Sequence, residues 1–162
     1  MARLPDRFDL WVRKARACAD PARQADYVLG ALAGLEAWHF LNVGTPANPQ
    51  PAEGQMEGGL QLLVFTDTGR IEEIVGGSRQ NGDPLPVITI PTAAAFPWCL
   101  ERRASGCAGL LVNPGEDAVL LPMGQVEAFH AEWRQRGDRQ ASGFWIPNLT
   151  TEEEDFWQEN GI

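Results

Sequence analysis

GLLVNPGEDAVLLP, the stretch Gly109–Pro122, decides the fold of this chain. Two apolar runs flank a polar hinge, and Pro114 and Gly115 at its centre suit the two middle positions of a type II turn. Proline presets φ at about −65°, and glycine accepts the positive φ that follows. The pattern predicts a β-hairpin within a buried sheet. The stretch contains no group that performs chemistry, so it indicates a scaffold and not a reaction.

Patterns along the rest of the chain predict the element order ααβ-βα-βα-ββα, followed by a C-terminal tail. Asp20 and Pro21 give one clear signal, an N-cap followed by proline at the first helical position. We expect an α/β fold of the mixed α+β kind, a single domain with a mixed four- to five-stranded sheet and helices packed on it. Helices are predicted at 6–17, 21–35 and 92–103, with a short one after residue 67 and a last one after residue 122. Strands are predicted at 37–43, at 60–65 and 87–90, which we expect to be buried, and in the hairpin.

Residues 44–59 interrupt this pattern. They are rich in proline and glycine and have almost nothing to bury, so we expect a long flexible loop. Unusually long loops in compact domains are often functional. The loop is therefore a candidate contact surface.

Charge and cysteine content restrict the classes of partner and the compartment. The net charge of −9 argues against nucleic acid and anionic membranes as partners, because both attract basic surfaces. No apolar run approaches the roughly 18 residues of a membrane-spanning helix, and the first residues do not resemble a signal peptide. The three cysteines form no CxxC motif. We expect free thiols in a reducing cytoplasm.

Cys99, Cys107 and His130 are the residues that invite a catalytic or metal-binding interpretation. None has metal-ligand spacing to another, and free cysteine is commonly a buried packing residue. We therefore expect no catalytic residue, no metal and no cofactor. The alternative is a small-molecule binder or a thiol enzyme that uses Cys107 or Cys99 with His130.

The last residues, 137–162, form an acidic and aromatic tail. Glu152, Glu153, Glu154, Asp155 and Glu159 lie there without a base near them, whereas the first 24 residues are mainly basic. The aromatic residues either cover the chain's own core or insert into another subunit or a partner. In both cases charge would steer the tail and aromatic burial would hold it. The aromatic residues concerned are Phe144, Trp145, Phe156 and Trp157.

Three segments resemble the SseB N-terminal domain family, known for enhanced serine sensitivity. They are Leu63–Asp67, Val87–Pro91 and Gly109–Gly115, and the similarity extends over residues 22–134. The resemblance implies a small α/β domain of the bacterial cytoplasm with no established activity and no catalytic residues. It also implies one domain over residues 1–136, with the tail of 137–162 in place of the C-terminal domain of longer members.

These observations predict a non-enzymatic cytoplasmic protein that works through protein–protein contact, as a regulatory or chaperone-like module. The predicted contact residues are the four aromatic residues of the tail. A homodimer formed through the tail is an alternative that the sequence leaves open. Nucleic acid and membranes are not expected as partners.

Overall fold

A computed structural model describes residues 7–76, 83–115 and 118–135. These residues divide into two compact units. One unit holds the described parts of Met1–Leu35 and Glu127–Ile162, and the other holds those of Glu36–Val126. The first unit is helical, and the second contains every described strand. The domain boundaries expected from the sequence, 1–136 and 137–162, stay a prediction.

Two helices open the first unit. α1 (Arg7–Arg16) and α2 (Pro21–Ala33) pack against each other. The carboxylate of Asp20 accepts a hydrogen bond from the backbone N–H of Ala22 at 3.1 Å and so caps α2, which confirms the predicted start. Apolar side chains at helical spacing are buried in both helices: Phe8, Trp11, Val12 and Ala15 in α1, and Val28, Leu29 and Leu32 in α2.

The second unit is built on strands that form two sheets. The described strands are β1 (Ala37–Leu41), β2 (Glu53–Met56), β3 (Gly59–Val64), β4 (Val87–Pro91), β5 (Cys107–Val112) and β6 (Val119–Pro122). β1 and β4 form an antiparallel pair, and the larger sheet has the order β2-β3-β5-β6. β3 and β5 are parallel while the other pairs are antiparallel, so the larger sheet is mixed. Two isolated antiparallel bridges lie between the sheets in the described chain, one between His39 and Phe65 and one between Asn42 and Pro51.

Two of the described helices pack on these strands. α3 (Thr68–Val75) contacts β1, and α4 (Thr92–Glu101) contacts β1 and β4 before a 3₁₀ helix continues it over Arg102–Ser105. Trp38 of β1 and Phe96 of α4 meet edge to face, with ring centroids 4.6 Å apart. The last described helix is α5 (Met123–Gln135), which buries Val126, Phe129, His130 and Trp133 as predicted.

One face of the larger sheet provides the core of the second unit. The side chains of this face are almost completely buried: Leu62, Val64, Leu110, Val112 and Leu121. Burial of each is worth about 1.5–3 kcal/mol. The hydrophobic pattern of β3, β5 and β6 therefore accounts for the stability of this sheet.

The structure confirms the predicted fold class, a mixed sheet with helices on it. The hairpin of β5 and β6 is also confirmed, and Gly115 has a φ of 138°, the positive value predicted there. The next two turn residues, 116–117, lie outside the described chain. The second face of the hairpin is only partly buried, since Leu120 is 45% exposed.

Two expectations were wrong. Residues 44–59 contain β2, which pairs with β3 from Glu53 to Met56. β4 is not buried; its residues are half-buried or exposed, and among the described residues it pairs with β1 alone. The helix predicted at about 92–103 is confirmed, as α4 and the 3₁₀ helix that continues it.

The described helices have at most 13 residues each. None of them combines the length and the apolar character needed to cross a bilayer.

Candidate functional site

The structure places both candidate catalytic thiols in the interior. Cys99 is fully buried, and burial raises the pKa of its thiol far above the usual range, with the nearby Cys107 raising it further. Cys107 is 3% exposed and its Sγ donates a hydrogen bond to the carbonyl of Gly109 at 3.3 Å. Burial raises the pKa of Cys107 as well. A reactive cysteine needs an accessible thiolate, so these properties weigh against thiol catalysis and fit core packing.

Packing and local hydrogen bonding also account for the two histidines, as packing does for the two cysteines. His130 is buried beside Trp133, with ring centroids 6.1 Å apart, and burial lowers its pKa. His39 shares a hydrogen bond at 2.9 Å between its Nδ1 and the hydroxyl of Thr89, the residue opposite it in the β1–β4 register. Burial also lowers the pKa of His39, partly offset by Asp67. The described residues contain no cluster of ligands that could hold a metal ion.

The tail residues predicted to bind a partner are Phe144, Trp145, Phe156 and Trp157. All four lie outside the described residues. Their part in binding stays a prediction.

Thr66 and Asn113 lie at the carboxyl ends of the parallel strands β3 and β5, and each belongs to a segment that carries the family resemblance. We call their contact the junction. Asn113 is 5% exposed and its Oδ1 accepts a hydrogen bond from the backbone N–H of Thr66 at 3.0 Å. Its Nδ2 donates to the hydroxyl of Thr66 at 3.1 Å. Asn113 also has a φ of 51°, a left-handed conformation that asparagine tolerates better than most residues. This junction fixes the strand ends, and both polar atoms of the Asn113 side chain are used in doing so.

The carboxylate of Asp67, the residue after Thr66, is also engaged in local hydrogen bonds. One carboxylate oxygen accepts a hydrogen bond from the backbone N–H of Arg70 at 3.0 Å, which caps α3. The other oxygen pairs with the guanidinium Nε of Arg70 at 3.1 Å. The carboxylate therefore acts as a cap and an ion-pair partner.

Residues 43–50 are different, because they are ordered by hydrogen bonds and yet exposed to solvent. All eight residues from Val43 to Gln50 are exposed, and we call them the β1–β2 loop. Val43 is 63% exposed, a large value for an aliphatic side chain. Isolated exposed aliphatic residues are normal, so the organisation of the surrounding loop is what makes this one notable.

Side chains hold the β1–β2 loop in one shape. The Oδ1 of Asn42 accepts hydrogen bonds from the backbone N–H groups of Gly44 at 2.9 Å and of Gln50 at 3.0 Å, which brackets the loop. At the tip, the hydroxyl of Thr45 accepts from the N–H of Asn48 at 3.0 Å. A Cβ at position 44 would collide with the carbonyl of Asn48, so the loop requires glycine there.

The loop also lacks charge in an acidic protein. Residues 37–52 contain no Asp, Glu, Lys or Arg, although 22% of the whole chain is charged. The centres of protein interfaces are depleted of charged residues in the same way. A loop that is rigid before binding also loses less conformational entropy on binding. The β1–β2 loop shares this depletion of charge.

Sequence reasoning selected this region for its length but expected it to be flexible. The signal that would have indicated order is Asn42, a residue type that commonly brackets loops through its side chain. The junction of Asn113 with Thr66 was not foreseen, because 47 residues separate its two halves.

Neither the protein-family models, nor the curated proteins, nor the solved structures contain a match to this chain. The resemblance to the SseB N-terminal family thus rests on the residues quoted above.

Proposed function

We propose that this chain is a non-enzymatic protein-interaction domain of the SseB N-terminal kind, and that it binds a protein partner through the β1–β2 loop. The observation that carries the proposal is the combination of order and exposure at Val43–Gln50, with Val43 63% exposed at the base of the loop. The buried thiols and the committed polar groups of the junction support a binding role over a catalytic one.

The charge of the surrounding unit indicates the kind of partner. Glu36–Val126 contains ten carboxylates and four arginines, which leaves a net charge of −6. Since the loop itself is uncharged, we expect an apolar contact with a basic rim on the partner. Long-range attraction of this kind raises the rate of association and weakens as salt is added.

A charge placed at the exposed residue at the base of the loop tests the proposal. The full-length chain and its Val43→Asp variant would each be used to capture proteins from an extract of the source cells. We expect Val43→Asp to reduce the captured partner at least tenfold, because an unpaired carboxylate would be buried in the contact.

The matched control is Ile74→Asp, which changes a second exposed aliphatic residue of the same unit, 51% exposed on α3. This variant should retain the partner at the wild-type level. Equal retention by both variants, or equal loss, would contradict the proposal. A full-length variant with the four tail aromatic residues changed to alanine tests the tail in the same assay.

A further inference from the structure

The strand β4 has one side paired and one side open within the described chain. Its paired side faces β1, where the backbone N–H of Asn42 donates to the carbonyl of Pro86 at 2.9 Å at the start of the ladder. Alternate residues of an antiparallel strand direct their N–H and C=O groups to the same side. Val87 and Thr89 therefore direct theirs away from β1, and none of these four groups has a hydrogen bond within the described chain.

The side chains of β4 are also incompletely covered. Ile88 and Ile90 lie opposite Phe40 and Trp38 in the β1–β4 register. Phe40 and Trp38 are fully buried, whereas both isoleucines are only half-buried. Thr89, on the other face of the strand, is exposed. A further strand beside β4 would cover apolar surface of Ile88 and Ile90 that β1 leaves open.

This edge lacks most of the features that keep exposed strands from pairing. Charged side chains, prolines and bulges are the usual protection. Residues 84–100 contain no Asp, Glu, Lys or Arg, and the pairing of β4 with β1 is regular from end to end. Pro91 blocks the last outward position, because it has no N–H to donate. The edge from Val87 to Thr89 stays open to another strand.

We propose that β4 pairs with β4 of a second copy of this chain, antiparallel and about a two-fold axis at Ile88. In this register Val87 of each copy lies opposite Thr89 of the other, and every outward N–H and C=O of the two residues gains a partner. Ile88 lies opposite its own symmetry mate, a pair of β-branched side chains of the kind that stabilises sheets. An axis at Thr89 would instead leave the C=O of Val87 facing Pro91, which has no N–H.

Charge distinguishes a second copy from another kind of strand. Each chain has a net charge of −9, so two copies repel each other, and the uncharged edge adds nothing to that repulsion. Salt therefore strengthens pairing between two copies and weakens pairing with a basic peptide. The contact uses no residue of the β1–β2 loop and does not depend on the function proposed for it.

Sedimentation velocity of the full-length chain between 1 and 200 μM tests the pairing. We expect a monomer–dimer equilibrium whose Kd falls at least threefold between 50 and 500 mM NaCl. Thr89→Pro removes an outward N–H and should raise Kd at least tenfold, since proline is tolerated on an edge strand but cannot donate. The matched control is Thr89→Val, which keeps the N–H and loses the same hydroxyl that bonds to His39, and its Kd should stay within twofold of the wild type.

A disulfide reports the register without disturbing the edge. Ile88→Cys places two thiols opposite each other at the two-fold axis, with Cα atoms about 4.5 Å apart, a distance that a disulfide spans. Thr89→Cys places them diagonally, at about 7–8 Å. Under oxidation by copper phenanthroline in air, we expect the variant at position 88 to form linked dimers at least tenfold faster, although position 89 is the more exposed.

Three results would overturn the proposal. They are a wild-type chain that stays monomeric up to 200 μM, a dimer that Thr89→Pro leaves unchanged, and equal rates of linkage at positions 88 and 89. A dimer that salt weakens would also contradict it, because two acidic copies repel each other less as salt is added.

Discussion

Gly109→Ala is expected to lower the free energy of unfolding by about 2–4 kcal/mol, because β5 has no room for a side chain at this position. A Cβ there would collide with the carbonyl of Leu121 on β6 and would lie 2.7 Å from the Oε1 of Gln61 on β3. Gln61 is 2% exposed and the colliding carbonyl is part of the sheet backbone, so neither neighbour moves cheaply. Urea denaturation of the wild-type and variant chains measures the difference.

The matched control is Gly124→Ala on α5, where a new Cβ meets no atom within 4 Å. This change should be neutral or stabilise the chain by about 0.5 kcal/mol, since alanine favours helix more than glycine does. A Gly109→Ala variant as stable as the control would mean that β3, β5 and β6 are not paired in the register described.

Asn113→Ala is expected to lower the free energy of unfolding by about 2–5 kcal/mol, through two contributions. The change leaves the buried backbone N–H of Thr66 without an acceptor, which costs about 1–3 kcal/mol. It also places alanine at a φ of 51°, a left-handed conformation that costs about 1–2 kcal/mol. The same urea titration measures the sum.

Asn113→Gly separates the two contributions. Glycine adopts a positive φ without penalty but supplies no side chain to Thr66. This variant should therefore be more stable than Asn113→Ala and less stable than the wild type. Equal stability of the wild type and the alanine variant would show that the junction between Asn113 and Thr66 contributes nothing.

Local signals were sufficient for the parts of the fold that depend on neighbouring residues. Asp20 and Pro21 mark the start of α2 because capping involves residues only two positions apart. The apolar runs around Pro114 and Gly115 predict the hairpin because its two strands are joined by a short turn. The same reasoning placed α5, whose buried side chains recur at helical spacing.

The features that sequence reasoning missed depend on which strands pair with each other. β2 has the sequence EGQM, which does not favour a strand by itself, and it is a strand because β3 supplies its hydrogen-bond partners. β4 has the apolar sequence VITIP, typical of a buried strand, yet its burial depends on which strands lie beside it. An apolar run alone does not distinguish a central strand from a partly exposed one.

The candidate site was foreseen only in outline. The length of the segment 44–59 indicated a surface for contact, but its composition pointed to flexibility. The hydrogen bond from the N–H of Gln50 to the side chain of Asn42 depends on how the chain turns between these residues, and composition does not specify that turn. The prediction of the tail as a contact concerns residues outside the described chain, so capture with the tail variant is the measurement that bears on it.

Site-specific photo-crosslinking tests most directly whether the β1–β2 loop binds a protein. A benzophenone amino acid would replace Val43 in the full-length chain within the source cells, and Ile74 in a parallel sample. The account predicts a discrete crosslinked protein from position 43 and none from position 74. No adduct at position 43, or the same adducts at both positions, would contradict it.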